Sequence, residues 1–143
     1  MTQSTTAVFA RREVGQAAKH GLRGRCPKCG EGRVFRAFLK VNDYCPNCGE
    51  ALHHHRADDA PPYVVITIVG HIVVGLMLAV EKGWSPDLWI HVALWLPLTV
   101  ALSLALLPPI KGALVGVQWA LRMHGFDPNS PEAQHAPIPA RMK

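Results

Sequence analysis

Two uncharged stretches constrain this chain more than any other feature: residues 63–80 and residues 88–107, separated only by the seven residues 81–87. As a helix the first run is about 27 Å long at 1.5 Å per residue, enough to cross the hydrocarbon of a bilayer. A connection this short joins antiparallel neighbours, so the two runs are expected to form a transmembrane α-helical hairpin. Trp84 and Trp89 at one end, and Tyr63 near the other, occupy the positions of interfacial aromatic belts. Pro97 should kink the second run, and Pro108-Pro109 should end it or bend it sharply. Residues 112–124 are mostly apolar but too few to span, and are expected to lie as a short interfacial helix. Gly70 and Gly75 permit close approach of another helix, although their spacing is not GxxxG.

Charge sets the orientation. Ten Lys and Arg precede the first run, Lys82 alone lies between the runs, and Lys111, Arg122, Arg141 and Lys143 follow. The positive-inside rule then places both termini in the cytoplasm and the turn outside. Residues 1–10 lack the apolar stretch of a signal peptide.

The polar half holds all four cysteines, as Cys26-Pro-Lys-Cys29-Gly30 and Cys45-Pro-Asn-Cys48-Gly49, with fifteen residues between the pairs. Two C-x2-C turns at this separation have the spacing of a zinc ribbon, a small β module in which four thiolates surround one ion. One structural zinc per chain, held by Cys26, Cys29, Cys45 and Cys48, is the first expectation. A rubredoxin-like iron site comes next and a redox dithiol last; disulfides would need an oxidising compartment. Cytoplasmic topology and free thiolates agree. Phe35 and Phe38 are expected to pack over the knuckles, with a strand over residues 39–41 leading into an Asn42-Asp43 turn. A ribbon so poor in apolar residues must draw much of its folding energy from the metal.

The expected organisation is thus an N-terminal arm, disordered or briefly helical (1–20), the ribbon (21–52), a juxtamembrane linker (53–62), two spans (63–80 and 88–107), the interfacial helix (112–124) and a disordered tail (125–143). In the arm, Arg11, Arg12 and Lys19 read as a solvated face.

Three histidines (His53, His54, His55) and two aspartates (Asp58, Asp59) crowd the linker. Either aspartate suits an N-cap for the first span, with Pro61 and Pro62 tolerated in its first turn. The histidines read as a polar interfacial loop, or as a second, more open metal or haem-facing site. His71 falls near the middle of the first span, where an ionisable side chain is a functional hypothesis by default. Counted from the outer turn it lies about 9 Å deeper than His91, so the two would not chelate one ion within a monomer. A symmetric dimer could pair two copies of His71, or each could bond neutrally across the hairpin, to Thr99 or Ser103 for His71. His54 and His71 are the candidate cofactor ligands.

The strings Cys26-Pro-Lys-Cys29-Gly30-Glu-Gly32, Cys45–Cys48, His54-His-Arg-Ala-Asp-Asp-Ala-Pro-Pro-Tyr63 and Gly70-His71 resemble the bacterial membrane family known as domain of unknown function 983. The likeness covers roughly residues 21–123. It implies a small inner-membrane protein with a cytoplasmic zinc ribbon and two spans. It also implies a place near haem–copper cytochrome c oxidase biogenesis, because genes of such proteins sit beside those of the oxidase and its assembly factors.

No phosphate-binding glycine loop, nucleophile elbow or HExxH motif is present, and a non-enzymatic assembly or scaffold factor is the leading expectation. Its partners would be the lipid bilayer and a membrane protein, such as an oxidase subunit or assembly factor, with a homodimer as a further possibility. The alternatives are a metal- or haem-handling protein using His53, His54, His55, Asp58, Asp59 and His71, and a membrane-tethered nucleic-acid binder. The last would use Arg23, Arg25, Lys28, Arg33, Arg36 and Lys40, but a basic juxtamembrane module is explained more simply by topology and anionic lipid.

Overall fold

The structure, a computed structural model, describes residues 11–56 and 59–134. The disorder expected of the first ten and last nine residues, and any part played by Asp58, lie outside these described residues.

Two long helices form the hairpin: α2 (Ala60–Trp84) and α3 (Leu88–Ala120). Pro61 and Pro62 enter α2 in its first turn, where a missing N–H costs nothing. Asp59 occupies the N-cap position, but its side chain makes no capping bond; the other candidate cap, Asp58, lies outside the described residues. Val65, Val69 and Val73, four residues apart on one face of α2, bury against Trp95 of α3, flanked by Leu98, Leu102, Leu106 and Ile110. Near the turn that joins the two helices the indole N–H of Trp95 donates to Nδ1 of His91 at 2.9 Å. That bond leaves the His91 proton on Nε2, 2.9 Å from Oε2 of Glu81, and ties the two helices beside their turn.

The outer faces stay uncovered. Only 17% of the most apolar window of α2 and 6% of that of α3 are buried, whereas the core helix of a globular domain would be mostly enclosed. Both helices are long and apolar enough to cross a membrane.

Contrary to expectation, α3 does not stop at Pro108-Pro109. It runs through Pro97, Pro108 and Pro109 to Ala120, so residues 112–120 form no separate interfacial helix. Each proline removes one N–H and crowds one carbonyl, a cost that packing on the far side of the pair offsets. With 33 residues, α3 is about 50 Å long and outreaches an apolar layer of about 30 Å.

That packing comes from α1 (Val14–Leu22) and the cysteine module. Gly112 and Gly116 of α3 meet Gly21 and Ala17 of α1 so closely that a Cβ on Gly112 would overlap the Gly21 carbonyl, and one on Gly116 that of Ala17. Backbones in such contact gain close-range dispersion and Cα–H···O attraction along the whole crossing.

The module itself is a short antiparallel hairpin, β1 (Phe35–Ala37) and β2 (Lys40–Val41), with bridges Arg25–Arg33 and Tyr44–Ala51. The turn falls at Phe38-Leu39, with Leu39 at φ 58°, rather than at Asn42-Asp43. Phe38 consequently points outward, 61% exposed, while Phe35 packs against the core. Val115 of α3 is fully buried in that core with Cys26, Val34, Val41, Cys45 and Leu52, so the module and the hairpin share one packed interior.

After α3 the chain closes in a Schellman turn. The N–H of Met123 donates to the carbonyl of Gln118 at 3.0 Å, and that of Arg122 to Trp119 at 3.3 Å. Arg122 holds φ 55° at the position usually given to glycine, a left-handed conformation that costs a side chain about 1 kcal/mol or more. The tail is ordered further than expected, through a 3-10 turn (His124–Phe126) and α4 (Pro131–Gln134). Phe126, 5% exposed beside Ala17, Trp119 and Ala120, supplies the reason.

Candidate metal centre

Each cysteine pair sits on a knuckle built the same way. The N–H of Gly30 donates to the Cys26 carbonyl at 2.8 Å, and that of Gly49 to the Cys45 carbonyl at 3.0 Å. Both glycines take positive φ, 72° and 71°, which turns the chain back after the second cysteine at no steric cost. The knuckles face each other with Cys26 Sγ 3.8 Å from Cys48 Sγ and Cys29 Sγ 3.8 Å from Cys45 Sγ. All four sulfurs lie within 4.8 Å of one another. A tetrahedron with metal–sulfur bonds of about 2.3 Å has an edge of about 3.8 Å, so the spacing fits one ion at the centre. A set of four thiolates in this geometry suits zinc or iron.

The surroundings prepare the thiolates unequally. The Gly32 N–H, 3.5 Å from Cys29 Sγ, leads the interactions that hold the Cys29 thiol down to about 6, with the Asn47 amide adding to it. Burial pushes Cys26 and Cys48 up. Gly32 is also a steric requirement, since a Cβ there would overlap Cys45 Sγ. Gly32 lies outside the C-x2-C pairs and Asn47 is an unspecified position within one, so spacing could not single them out.

A second missed group is Glu50, just after the second knuckle. It accepts from Lys28 Nζ at 2.7 Å and from the Trp119 indole N–H at 2.8 Å, and lies 3.7 Å from Arg12. Arg12 stacks its guanidinium 4.1 Å from the centre of the Trp119 ring and donates to the Trp119 carbonyl at 2.7 Å. The expected solvated face is therefore wrong for Arg12, because α1 places it over α3. Glu50 thus joins the ribbon, the N-terminal arm and the end of α3. Burial raises its carboxyl pKa, but the bonds from Lys28 and Trp119 and the charges of Lys28 and Arg12 outweigh burial and hold it below the ordinary value of 4.5. A depressed carboxylate stabilises the fold above its unfolded pKa, and that contribution is lost as pH falls through the folded one. Glu50→Gln is expected to lower stability by about 1–3 kcal/mol at neutral pH, and the gap from wild type should close on acidification. Thermal melts across pH would show it; a constant gap would contradict the charge-based account.

Among the described residues the linker histidines do not assemble a second centre. His55 Nδ1 bonds the Leu52 carbonyl at 2.9 Å. His53 lies against His54, ring centres 3.9 Å apart, and His54 meets Phe126 edge-on at 5.8 Å, above Gly125. His71 stands eleven residues beyond the start of α2, about 16 Å up the helix. Its Nδ1 bonds the Thr67 carbonyl at 2.7 Å within its own helix, not Thr99 or Ser103, and its ring faces away from α3. His54, Asp59 and His71 are thus kept apart by helix rise and by the packing of His54 on Phe126. Among the described residues, Cys26, Cys29, Cys45 and Cys48 alone form a group of three or more such side chains close enough to hold an ion.

Of the six basic residues expected of a nucleic-acid face, Arg25 donates to the Glu31 carbonyl, Lys28 to Glu50, and Arg36 lies 3.8 Å from Asp43. Two of these contacts, Lys28–Glu50 and Arg36–Asp43, are ion pairs within the fold.

No curated protein and no solved structure gives a significant match to the chain. The profile of the family described as protein of unknown function (DUF983) matches residues 35–119, from β1 to the end of α3, and begins after the first cysteine pair. This match, the cysteine cluster and the apolar helices fit a membrane zinc-binding protein. Covering more than half of the 143 residues, the match places the chain in that family of proteins of unknown function, DUF983.

Proposed function

We propose that this protein is a non-enzymatic scaffold of the bacterial inner membrane, spanning it twice with both termini cytoplasmic. Its zinc ribbon offers a rigid docking surface at the inner face, and its setting is the assembly of the haem–copper cytochrome c oxidase. The observation that carries this reading is Val115, fully buried within the ribbon core while belonging to the helix of the hairpin. A partner held by the ribbon is thereby held at a fixed height and angle to anything packed against the hairpin.

The membrane partner fits the outer face of α2. Thr67, Gly70, His71 and Gly75 line a shallow groove opposite α3, and helix interfaces within membranes favour such small and polar residues over lipid-facing positions. With its Nδ1–H given to Thr67, His71 leaves Nε2 for a bond to a partner. A photo-crosslinker at Val74, on the same groove, should capture a membrane protein from native membranes, and His71→Leu should reduce that capture several-fold. Deleting the gene should lower cytochrome oxidase content in difference spectra. Unchanged spectra would remove the oxidase setting, and crosslinking to lipid alone would remove the membrane partner.

A further inference from the structure

We infer that the tip of the β-hairpin and the end of α1 together form a docking surface for anionic phospholipid, on the reading that α2 and α3 span the bilayer. Height along α3 locates this surface. Arg12 meets Trp119, Ala17 meets Gly116 and Gly21 meets Gly112. Helix α1 therefore runs antiparallel to α3, back toward the apolar span. Gly112 follows Lys111, the first Lys, Arg, Asp or Glu after Asp87, and so marks the edge of that span. Leu22, next after Gly21, is 49% exposed at this edge. The ribbon reaches the same level. Val34 lies in the core with Val115, whereas the Phe35 ring packs on Gly112, three residues nearer the span. The hairpin turn comes next, with Phe38 61% exposed.

That turn has the wrong chemistry for water. Short hairpin turns usually carry Gly, Asn or Asp, which accept positive φ and leave a polar tip. Here Leu39 takes φ 58° at a conformational cost and stands beside an exposed phenylalanine. An apolar tip of this kind is stabilised by burial at the boundary of headgroups and acyl chains.

Charge selects the lipid. Residues 22–41 hold six Lys and Arg against one acid, Glu31. Lys28 pairs with Glu50 and Arg36 with Asp43. Arg23, Arg33 and Lys40 are exposed, and no acidic side chain among the described residues pairs with them. Cations around an apolar tip match anionic headgroups lying above the acyl chains that receive the tip. Single-stranded nucleic acid would instead need a groove with several stacking rings, and this tip offers one.

The test uses full-length, zinc-loaded protein in phosphatidylcholine nanodiscs with phosphatidylglycerol as the minority lipid. A photo-crosslinking residue at Phe38, or at Leu22, should capture lipid, with phosphatidylglycerol enriched about fivefold over its share of the disc. Arg33→Gln combined with Lys40→Gln should return the captured ratio to that of the disc. Zinc content and melting temperature should stay unchanged in that variant, because both side chains are exposed. The same crosslinker at Glu13, at the Trp119 end of the crossing and about 10 Å farther along α3, should capture little lipid. Val74, exposed on α2, is the reference for the spans and should capture acyl chains in every variant. Capture at Val74 but not at Phe38 or Leu22, or capture at Phe38 indifferent to headgroup charge, overturns the inference while leaving the spans in place. No capture at any of these positions overturns both. A protein crosslinked at Phe38 in native membranes in place of lipid also overturns it, and would assign the tip to a protein partner.

Discussion

Replacing Cys26 with serine is expected to strip the protein of its metal and unfold the ribbon. Cys26 is fully buried, and its sulfur is one corner of the four-thiolate cluster. Among the described residues only Val34, Val41, Cys45, Leu52 and Val115 are buried around it, a core too small to hold two knuckles by burial alone. Zinc in such a site supplies about 10–16 kcal/mol of folding free energy near neutral pH, far more than those side chains can replace. Metal analysis should fall from one zinc per chain to near none, and residues 24–52 should become protease-sensitive while the hairpin persists. A Cys26→Ser protein that keeps its zinc, or a ribbon that stays protease-resistant without it, would show that the cysteines are not the stabilising centre. Metal analysis of the wild type separates zinc from iron in the same experiment.

Replacing Gly112 with leucine should be comparably severe for a different reason. The new side chain would begin inside the Gly21 carbonyl, where backbone rather than a movable side chain blocks it. Overpacking against flexible neighbours costs about 1–3 kcal/mol, and against fixed backbone the cost should reach or exceed the top of that range. Helix α1 would have to leave α3, taking Arg12 from Trp119 and Glu50. Hydrogen exchange should show the α1 amides losing protection, with a drop in melting temperature. Gly70→Leu is the matched control, because nothing lies within 4 Å of a Cβ there. Equal damage from the two substitutions would mean that the glycine crossing is not what fastens α1.

The two cases differ in how visible they are along the chain. A C-x2-C-G knuckle is local: five consecutive residues contain both sulfurs and the glycine that turns the backbone, so its chemistry is legible from spacing. The two apolar runs are legible for a similar reason, since helix length against bilayer thickness is a property of consecutive residues. The Pro108-Pro109 pair misled because local propensity says break, while the contacts that keep α3 intact come from residues more than sixty positions earlier. Phe126 misled likewise: in a proline-rich tail it looks unsupported, yet it packs against Ala17 and Trp119. The linker histidines overpromised, because proximity in sequence said nothing about which ring nitrogens would converge.

What the sequence by itself determined is therefore the pair of parts: a four-thiolate knuckle module and two helices apolar enough to span a membrane. Both are encoded over short windows, by φ requirements and by hydrophobic length. The tertiary structure alone decided how those parts are joined. Glycines at 21, 112 and 116 set the approach of α1, Val115 fills the ribbon from the hairpin side, and Glu50 gathers Lys28, Arg12 and Trp119. Such contacts depend on complementary shape and charge between distant segments, which no local window contains.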